Sequence, residues 1–276
     1  MPTNPPLTAE AVRAALPLGT TAPDILVFDT LDSTNTEAKR MARACLDSGT
    51  SLPRPTLIIA RSQTAGRGRM GRDFYSPAHT GLYMTLLYAT DRPLTDAVAM
   101  TGAAAVAVAT VLEDLTGESF LIKWVNDIYR RGCKVCGILT EAISGEGGLP
   151  HHIAVGIGIN VTTEVFPDGL RAPAASVASV TDGRAPFDIN ALAARVAATL
   201  LALVEDPAAP AVVDAYRARS MLTLTPTPVT VFRGAEVYDA VAEGIGEDYA
   251  LHIRRPDGRV EVLSGGEVSV RAKAGQ

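Results

Sequence analysis

The chain up to about residue 222 alternates short apolar runs with longer segments of helical periodicity. The apolar runs are rich in Ile, Leu and Val and predict strands, several of them buried on both faces, at residues 25–28, 57–60, 82–88, 120–124, 135–142 and 153–161. Helical spacing predicts helices over residues 33–47, 95–115, 188–204 and 211–221. This interleaving predicts a mixed sheet with flanking helices, in an α/β or α+β domain.

The pattern changes at residues 222–227. The segment LTPTP at 224–228 is a stiff connector, and no helical periodicity follows it. Short alternating runs then predict strands at residues 229–232, 237–243, 249–254, 260–263 and 268–270, and PDGR at 256–259 is typical of a hairpin turn. We therefore predict a flexible N-terminal segment at 1–23, a large domain at 24–222 and a small β-barrel at 228–272.

Composition and charge narrow the class of protein. Apolar residues make up 47% of the 276 residues and charged residues 20%, as in ordinary soluble proteins. The net charge of −5 argues against a surface built for nucleic acid or membranes, so any anion-binding site must be local. Residues 97–112 are alanine-rich and shorter than the roughly 20 residues that span a bilayer, which predicts a core helix. The N-terminus lacks a signal-peptide pattern, so we expect a cytoplasmic protein.

The chain has three cysteines, and two of them form a C-x-x-C at Cys133 and Cys136. This spacing occurs in zinc and redox sites, but no second cysteine pair or paired histidine follows at ligand spacing. In a strand, residues i and i+3 also point to opposite faces. We therefore predict packing roles for these cysteines, no metal site built from side chains, and a reduced environment.

Positive charge and glycine are concentrated in GRGRMGR at residues 66–72, between two predicted strands. The glycines let backbone N–H groups approach a bound anion closely, and the arginines add forked, charged donors for phosphate or carboxylate oxygens. The alternative is a flexible basic loop, or a nucleic-acid contact of the RGG kind. The chemistry of the loop alone leaves both interpretations open.

A second group of polar residues is KWVND at 123–127, followed by Lys134. It ends an apolar strand, where α/β folds tend to place ligand-binding groups. Asn126 offers both a donor and an acceptor, and Asp127 is suited to orient a cation or a metal-bridged phosphate. The alternative is an Asn-Asp turn that closes a hairpin, with the lysines solvated.

Two shorter segments give weaker signals. STN at 33–35 lies at a strand-to-helix junction, where helix capping explains one small polar residue but not three in succession. GIGIN at 156–160 places glycines inside a strand, which permits close approach of a ligand or another element.

Together these segments resemble the catalytic domain of biotin protein ligases. STN, Gln63, GRGRMGR, KWVND, Lys134, GILTE at 137–141 and GIGIN follow the order and spacing of that family, and GGEVSVR at 265–271 is similar to the end of its small barrel. The resemblance covers residues 24–271 and implies a class II synthetase-like α+β catalytic domain with a C-terminal SH3-like barrel. Phe74 and Val125 depart from the usual Trp and Pro, for which we expect altered loop packing rather than lost chemistry.

The resemblance implies that biotin and ATP form biotinyl-5′-AMP, which a lysine of a biotin carboxyl carrier domain then attacks. It implies catalytic roles for Arg67, Arg69 and Lys134. The residues implied to bind biotin are Ser33, Thr34, Asn35, Gln63, Gly66, Arg67, Gly68, Arg69, Lys134, Gly137, Gly156 and Gly158. The residues implied to bind ATP, which Mg²⁺ accompanies, are Arg69, Arg72, Trp124, Asn126, Asp127, Lys134 and Asn160.

The implied acceptor is the carrier domain of acetyl-CoA carboxylase or of a related biotin-dependent carboxylase. We expect neither DNA nor membrane as a partner, because residues 1–23 leave no room for the DNA-binding winged helix of some family members. A homodimer through an exposed sheet edge stays open. The alternatives are a lipoate or octanoate protein ligase, which shares the core fold, and a non-enzymatic biotin-binding regulator.

Overall fold

The computed structural model describes residues 6–91, 97–145, 150–170, 172–183, 188–265 and 268–272. The strands of its larger sheet are β1 (Asp24–Leu31), β2 (Thr56–Gln63), β3 (Gly81–Ala89), β4 (Leu121–Lys123), β5 (Asp127–Arg130), β6 (Cys133–Ser144) and β7 (Pro150–Asn160). They lie in the order β1-β2-β3-β7-β6-β5-β4. The pair β1–β2 is parallel and the other neighbours are antiparallel, so the sheet is mixed, as predicted.

Helices cover both faces of this sheet. They are α1 (Ala9–Ala14), α2 (Thr34–Asp47), α3 (Ala97–Thr116), α4 (Val177–Val180), α5 (Ile189–Val204) and α6 (Pro210–Arg217). Leu57 and Ile59 of β2 pack in the core that contains α3 and α5, whereas Ile58 packs with Ala38 and Ala42 of α2. Successive strand side chains point to opposite faces, so a strand between two helical layers is apolar at every position.

Helix α3 lies in the centre of the larger core. By length and composition it is apolar enough to cross a membrane, but 72% of its most apolar window is buried inside the protein. Its alanines leave room for close packing against α5 and α6. The prediction of a core helix is therefore confirmed.

A second, antiparallel sheet follows α6. Its strands are β8 (Thr227–Arg233), β9 (Glu236–Ile245), β10 (Leu251–Arg254), β11 (Val260–Leu263) and β12 (Val268–Ala272), in the order β11-β10-β9-β8-β12. The hairpin turn predicted at 256–259 joins β10 to β11, and Gly258 adopts φ 88° there. The alternating pattern predicted all five of these strands.

Three local features differ from the predictions. Strand β5 has only four residues, and its pattern DIYR was too short to be predicted. The segment expected to be flexible contains α1, where the Thr8 side chain caps the backbone N–H of Ala11 and Val12 is buried. Residue Ser33 occupies the N-cap position of α2, but its side chain makes no capping hydrogen bond. STN is therefore not explained by capping.

The turn between β9 and β10 and helix α6 both contact the turn of the hairpin formed by β4 and β5. Trp124 Nε1 donates to the Tyr249 carbonyl at 2.9 Å, and the Tyr216 hydroxyl donates to the Val125 carbonyl at 3.2 Å. The rings of Tyr216 and Tyr249 pack edge to face, 5.2 Å apart. A Cβ atom at Gly102 would lie 2.3 Å from the Tyr249 ring, so a glycine is required for α3 to approach it.

Candidate functional site

The loop between β2 and β3 has its own local structure. Arg67 and Asp73 form an isolated antiparallel bridge, and the Gly68 N–H donates to the Arg72 carbonyl at 2.7 Å. The tip turns through Met70 at φ 58° and Gly71 at φ 69°, the left-handed region that glycine tolerates best. This turn directs Arg69 away from solvent.

Arg69 lies at the junction of three parts of the chain. Its guanidinium donates to Asn126 Oδ1 at 3.1 Å and to the Gly265 carbonyl, which follows β11. Burial lowers the pKa of Arg69, although the nearby charge of Asp127 opposes that shift. A guanidinium stays protonated at neutral pH, so Arg69 is a largely buried cation whose acceptors include Asn126 and the Gly265 carbonyl.

The turn between β4 and β5 places the residues of KWVND. The Trp124–Val125 peptide bond is cis. Asn126 donates through Nδ2 to the Ile138 carbonyl at 2.8 Å, and its own carbonyl accepts from the Ile138 N–H at 2.9 Å. Lys123 pairs with Asp127 across the antiparallel strands β4 and β5, so these residues form a hairpin turn, as the alternative interpretation expects. Lys134, however, forms an ion pair with Asp127 (Nζ to Oδ1, 2.7 Å) and is not simply solvated.

These elements surround a cleft with an excess of positive charge. Among the described residues, its charged side chains are Arg67, Arg69, Arg72, Lys123, Lys134, Asp73 and Asp127, five cations against two carboxylates. The other lining residues are Gly68, Met70, Phe74, Trp124, Asn126, Gly137, Ile138 and Val270. In a chain of net charge −5, this cleft is suited to a small anion bearing phosphate or carboxylate groups.

A polar recess adjoins the cleft, and Arg67, Phe74 and Gly137 line both; apart from Arg67, the side chains that line the recess are neutral. Hydrogen bonds connect the side chains of the recess. The Thr34 N–H donates to Gln63 Oε1 at 2.8 Å, and Gln63 Nε2 donates to Ser76 Oγ at 2.8 Å. The recess is lined by Ser33, Thr34, Asn35, Gln63, Leu139, Gly156, Ile157 and Gly158 in addition to the shared residues.

The glycines of β7 admit other side chains into close contact. A Cβ atom at Gly156 would lie 2.0 Å from Asn35 Oδ1, and one at Gly158 would lie 2.5 Å from Cε1 of Phe74. No other residue type fits either position without movement of its neighbour. The Phe74 ring therefore lies directly on the strand at the junction of the cleft and the recess.

The structure brings together all but one of the residues singled out in the sequence. Gly66 lies beside Gln63 and Ser76, next to the recess. Asn160, at the end of β7, lines neither the cleft nor the recess. It donates to the Ala175 carbonyl at 3.3 Å, and its buried Oδ1 has no hydrogen-bond partner among the described residues.

The cysteines are separate from this site. Cys136 is buried in the core, where burial raises the pKa of its thiol, and Cys133 packs at the edge of the same cluster. Within the described ranges there is no group of three or more His, Cys, Asp or Glu side chains placed to hold a metal ion. The packing roles predicted for the C-x-x-C are consistent with these positions.

Several residues of the site were missed in the sequence. The Thr85 Oγ1 atom lies 2.8 Å from Thr34 Oγ1 and 2.7 Å from Asn35 Oδ1. Thr85 was missed because it lies among the apolar residues of β3. Glu141 accepts hydrogen bonds from Asn35 and Lys39. It is the last residue of the segment GILTE, and the sequence predicted no role in the site for it. The carbonyl groups of Gly265 and Tyr249 have no side-chain signature, so no local pattern predicts their contacts.

Comparison with known proteins places the chain among ligases. Residues 27–160 match the biotin/lipoate A/B protein ligase family. A relative from Paracoccus denitrificans named biotin–[acetyl-CoA-carboxylase] ligase is 31% identical over 245 residues, which cover 86% of this chain and 96% of the relative.

A Bacillus subtilis relative named bifunctional ligase/repressor BirA is 36% identical over 173 residues, covering 62% of this chain. That match spans 51% of the relative, about half its length. A solved structure of biotin protein ligase from Aquifex aeolicus in complex with biotin and ATP superposes with a TM-score of 0.72. It is 23% identical and covers 91% of this chain and 99% of that one, a likeness of fold alone.

Proposed function

The chain belongs to the biotin/lipoate A/B protein ligase family, and we propose that it is an ATP-dependent biotin protein ligase. It activates biotin as biotinyl-5′-AMP and transfers the biotinyl group to a lysine of a biotin carboxyl carrier domain. One observation carries this proposal: a cation-rich cleft opens into a neutral, hydrogen-bonded recess through shared walls. An acyl adenylate has the matching shape, with a charged phosphate next to an uncharged ring system.

In the first step a carboxylate oxygen of biotin attacks the α-phosphorus of ATP, and pyrophosphate leaves with the electrons of the broken P–O bond. Negative charge accumulates on the phosphoryl oxygens during this step. Preorganised cations that lie where this charge develops lower the barrier. In the proposal Arg67, Arg69 and Lys134 supply them, with the backbone of Gly68 beside them.

The neutral recess is proposed to bind the ureido group and rings of biotin. Ser33, Thr34 and Gln63 offer polar groups there, and the backbone at Gly137, Gly156 and Gly158 approaches without side chains. Both hydrogens of Asn35 Nδ2 are used, by the Leu139 carbonyl at 3.1 Å and by Glu141 at 2.9 Å. Asn35 therefore offers a ligand only the remaining lone pair of Oδ1. Gly66 keeps the loop close to Gln63.

ATP is proposed to bind along the rest of the cleft, against Arg72, Trp124, Asn126 and Asp127, with Arg69 and Lys134 shared between the two ligands. A contribution from Asn160 requires a shift of β7 or of its surroundings, since this residue lies outside the cleft. The described residues contain no carboxylate cluster for a metal ion. Mg²⁺ is therefore proposed to enter on the triphosphate, where it neutralises phosphate charge.

In the second step the lysine amine of the carrier domain attacks the carbonyl carbon of the adenylate, AMP leaves, and an amide forms. Residues 24–222 are proposed as the catalytic domain and 228–272 as an SH3-like barrel. The five short antiparallel strands of the second sheet support this assignment. The contacts of Arg69 and Trp124 with this sheet support a role for it in closing the cleft.

The test is biotin-dependent exchange of labelled pyrophosphate into ATP by the purified protein, with lipoate and octanoate as parallel substrates. Exchange with biotin alone is the expected result, and it identifies both the adenylation step and the substrate class. Exchange with only lipoate or octanoate would assign the chain to the other branch of its family. Binding of biotin without exchange would identify a non-enzymatic regulator.

A further inference from the structure

Glu141 connects the recess to the arginine loop and to helix α2. It lies on β6, opposite Ala154 of β7 and two residues beyond Leu139, which lines the recess. Lys39 Nζ donates to its Oε1 at 2.8 Å, and Asn35 Nδ2 donates to its Oε2 at 2.9 Å. Arg67 Nη2 lies 3.9 Å from Oε1, so the two carboxylate oxygens have three partners from two different segments.

The orientation of the Asn35 amide depends on this carboxylate. An amide can rotate by half a turn, which exchanges its oxygen and nitrogen positions. In the observed orientation Nδ2 faces two acceptors, the Leu139 carbonyl and Glu141, while Oδ1 accepts from Thr85. In the opposite orientation the oxygen would face a carbonyl and a carboxylate, so that orientation is excluded while Glu141 is ionised.

Glu141 is ionised at neutral pH. Burial alone would raise the pKa of Glu141, but hydrogen bonds from Lys39 and Asn35, together with the charges of Lys39 and Arg67, lower it below its usual value. The carboxylate is partly buried, with 22% of its side chain exposed. Its charge therefore acts on Asn35 and Arg67 without the full screening of bulk water.

We propose that Glu141 is a positioning residue for the recognition of the biotin ring system, acting through Asn35. This inference rests on the proposed function, since it assigns Asn35 Oδ1 as the acceptor for a ligand N–H. Glu141 and the Leu139 carbonyl accept both Nδ2 hydrogens of Asn35, so only Asn35 Oδ1 is left to face the ligand. The site therefore selects a ligand that has a hydrogen-bond donor at this position. The carboxylate also attracts the Arg67 guanidinium toward the junction of the cleft and the recess.

A merely structural ion pair between Glu141 and Lys39 predicts different behaviour. The protein contains a matched example away from the site, Glu113 with Arg219, at 2.6 Å and with side chains that are 23% and 22% exposed. Neither residue of that pair lines the cleft or the recess. Glu113→Gln therefore reports the effect of losing a comparable ion pair, and Lys39→Met reports the loss of the Lys39 contact alone.

The experiment measures the Kd of biotin by calorimetry, and the KM values of biotin and ATP by pyrophosphate exchange, in Glu141→Gln, Glu141→Ala, Lys39→Met and Glu113→Gln. We expect Glu141→Ala to raise the Kd and KM of biotin by about thirtyfold, because Asn35 loses an acceptor and its orientation. Glu141→Gln keeps an acceptor oxygen and should raise them by about threefold. The KM of ATP should stay within about twofold in all four variants.

A double-mutant cycle then tests whether Glu141 acts through Asn35. In an Asn35→Ala background, Glu141→Ala should add little to the loss of biotin affinity. Additive losses would overturn the inference, as would an equal effect of Lys39→Met and Glu141→Ala on the Kd of biotin. A wild-type protein without biotin-dependent exchange would refute the proposed function instead. Variants of Glu141 that match Glu113→Gln in biotin affinity would refute only the positioning role.

Discussion

The recess and the cleft are built in different ways, although they share a wall. The uncharged polar side chains of the recess come from the end of β2 and from the start of α2, and Thr85 of β3 hydrogen-bonds to two of them. The cleft is assembled from a loop, a hairpin and the C-terminal sheet. Arg69 connects them, because it donates to Asn126, which is 57 positions away in the sequence, and to Gly265, which is 196 positions away. The recess is thus held by the core, whereas the cleft depends on long-range contacts between less rigid elements.

This difference predicts a division of roles. The hydrogen bonds of the recess are already satisfied within the protein, so little reorganisation accompanies the binding of a matching ring system. In the cleft, Arg69 already donates to Asn126 and to the Gly265 carbonyl, and it must exchange or share these acceptors when an anion arrives. We therefore expect changes in the recess to affect the affinity for biotin, and changes in the cleft to affect retention and transfer of the adenylate.

The largest effect is expected for Arg69→Gly. Adenylate formation should persist, but biotinyl-5′-AMP should dissociate about 100-fold faster, because the charged donor that we propose to lie next to the phosphate is lost. The measurement is the rate at which labelled adenylate leaves the protein in a rapid filtration assay. Arg259→Gly, on an exposed hairpin, is the control. An adenylate held as tightly as in the wild type would show that Arg69 has another role.

A pair of glycine substitutions compares the two regions directly. In Gly156→Ala the new methyl group would meet Asn35 within the core-supported recess, so we expect a loss of about 2 kcal/mol in the free energy of unfolding. In Gly158→Ala the methyl group meets Phe74 on the loop, which can move, and the loss should stay below about 1 kcal/mol. Urea denaturation measures both values. Equal losses of unfolding free energy in the two variants would contradict the difference in rigidity between the recess and the loop.

Limited proteolysis tests whether ligands order the arginine loop. Trypsin should cleave after Arg67, Arg69 or Arg72 in the free protein, and biotin with ATP at about ten times their Kd should slow this cleavage by up to about tenfold. Cleavage at the hairpin containing Arg259 serves as an internal reference. Unchanged rates at the loop would mean that its turn is as stable without ligand as with it.

Trp124→Phe tests the dependence of the cleft on the C-terminal sheet. The substitution leaves the Tyr249 carbonyl without its donor, and we expect a loss of about 1 kcal/mol in the free energy of unfolding together with a higher KM for ATP. Tyr238→Phe removes a comparable donor, to Glu261, from the far side of the same sheet and should leave the KM unchanged. An unaltered KM for ATP in Trp124→Phe would show that this contact with the C-terminal sheet does not affect ATP binding in the cleft.

The smallest effect concerns pH. The pKa of Glu141 is lowered from its usual 4.5 by its partners, so its contribution to stability is fully present above pH 4.5 and is lost as the pH falls through the lowered value. The difference in unfolding free energy between wild type and Glu141→Gln, below about 1 kcal/mol at pH 7 because the group is partly exposed, should vanish at low pH. Urea titrations from pH 7 to 3 measure it. If the difference in unfolding free energy stayed constant from pH 7 to 3, it would come from packing and not from the charge of Glu141.

Much of the fold was predictable from local pattern. Strands buried on both faces read as continuous apolar runs, and the C-terminal strands read as alternating runs between turn residues. Strand β5 was missed because four residues are too few to show a hydrophobic period. Helix α1 was missed because its six residues, AEAVRA, make fewer than two turns and bury only Val12. Short elements acquire their structure from tertiary contacts rather than from their own sequence.

The sequence by itself determined which residues are proposed to carry the chemistry: the glycine–arginine loop, the KWVND turn with Lys134, and the small polar residues at 33–35. Their types and spacing are local properties, and local properties are readable along a chain. The tertiary structure alone decided how they are held. Asn35 meets Glu141 across 106 positions and Trp124 meets Tyr249 across 125, and such pairs are chosen by the packing of whole elements, which no short window of sequence records.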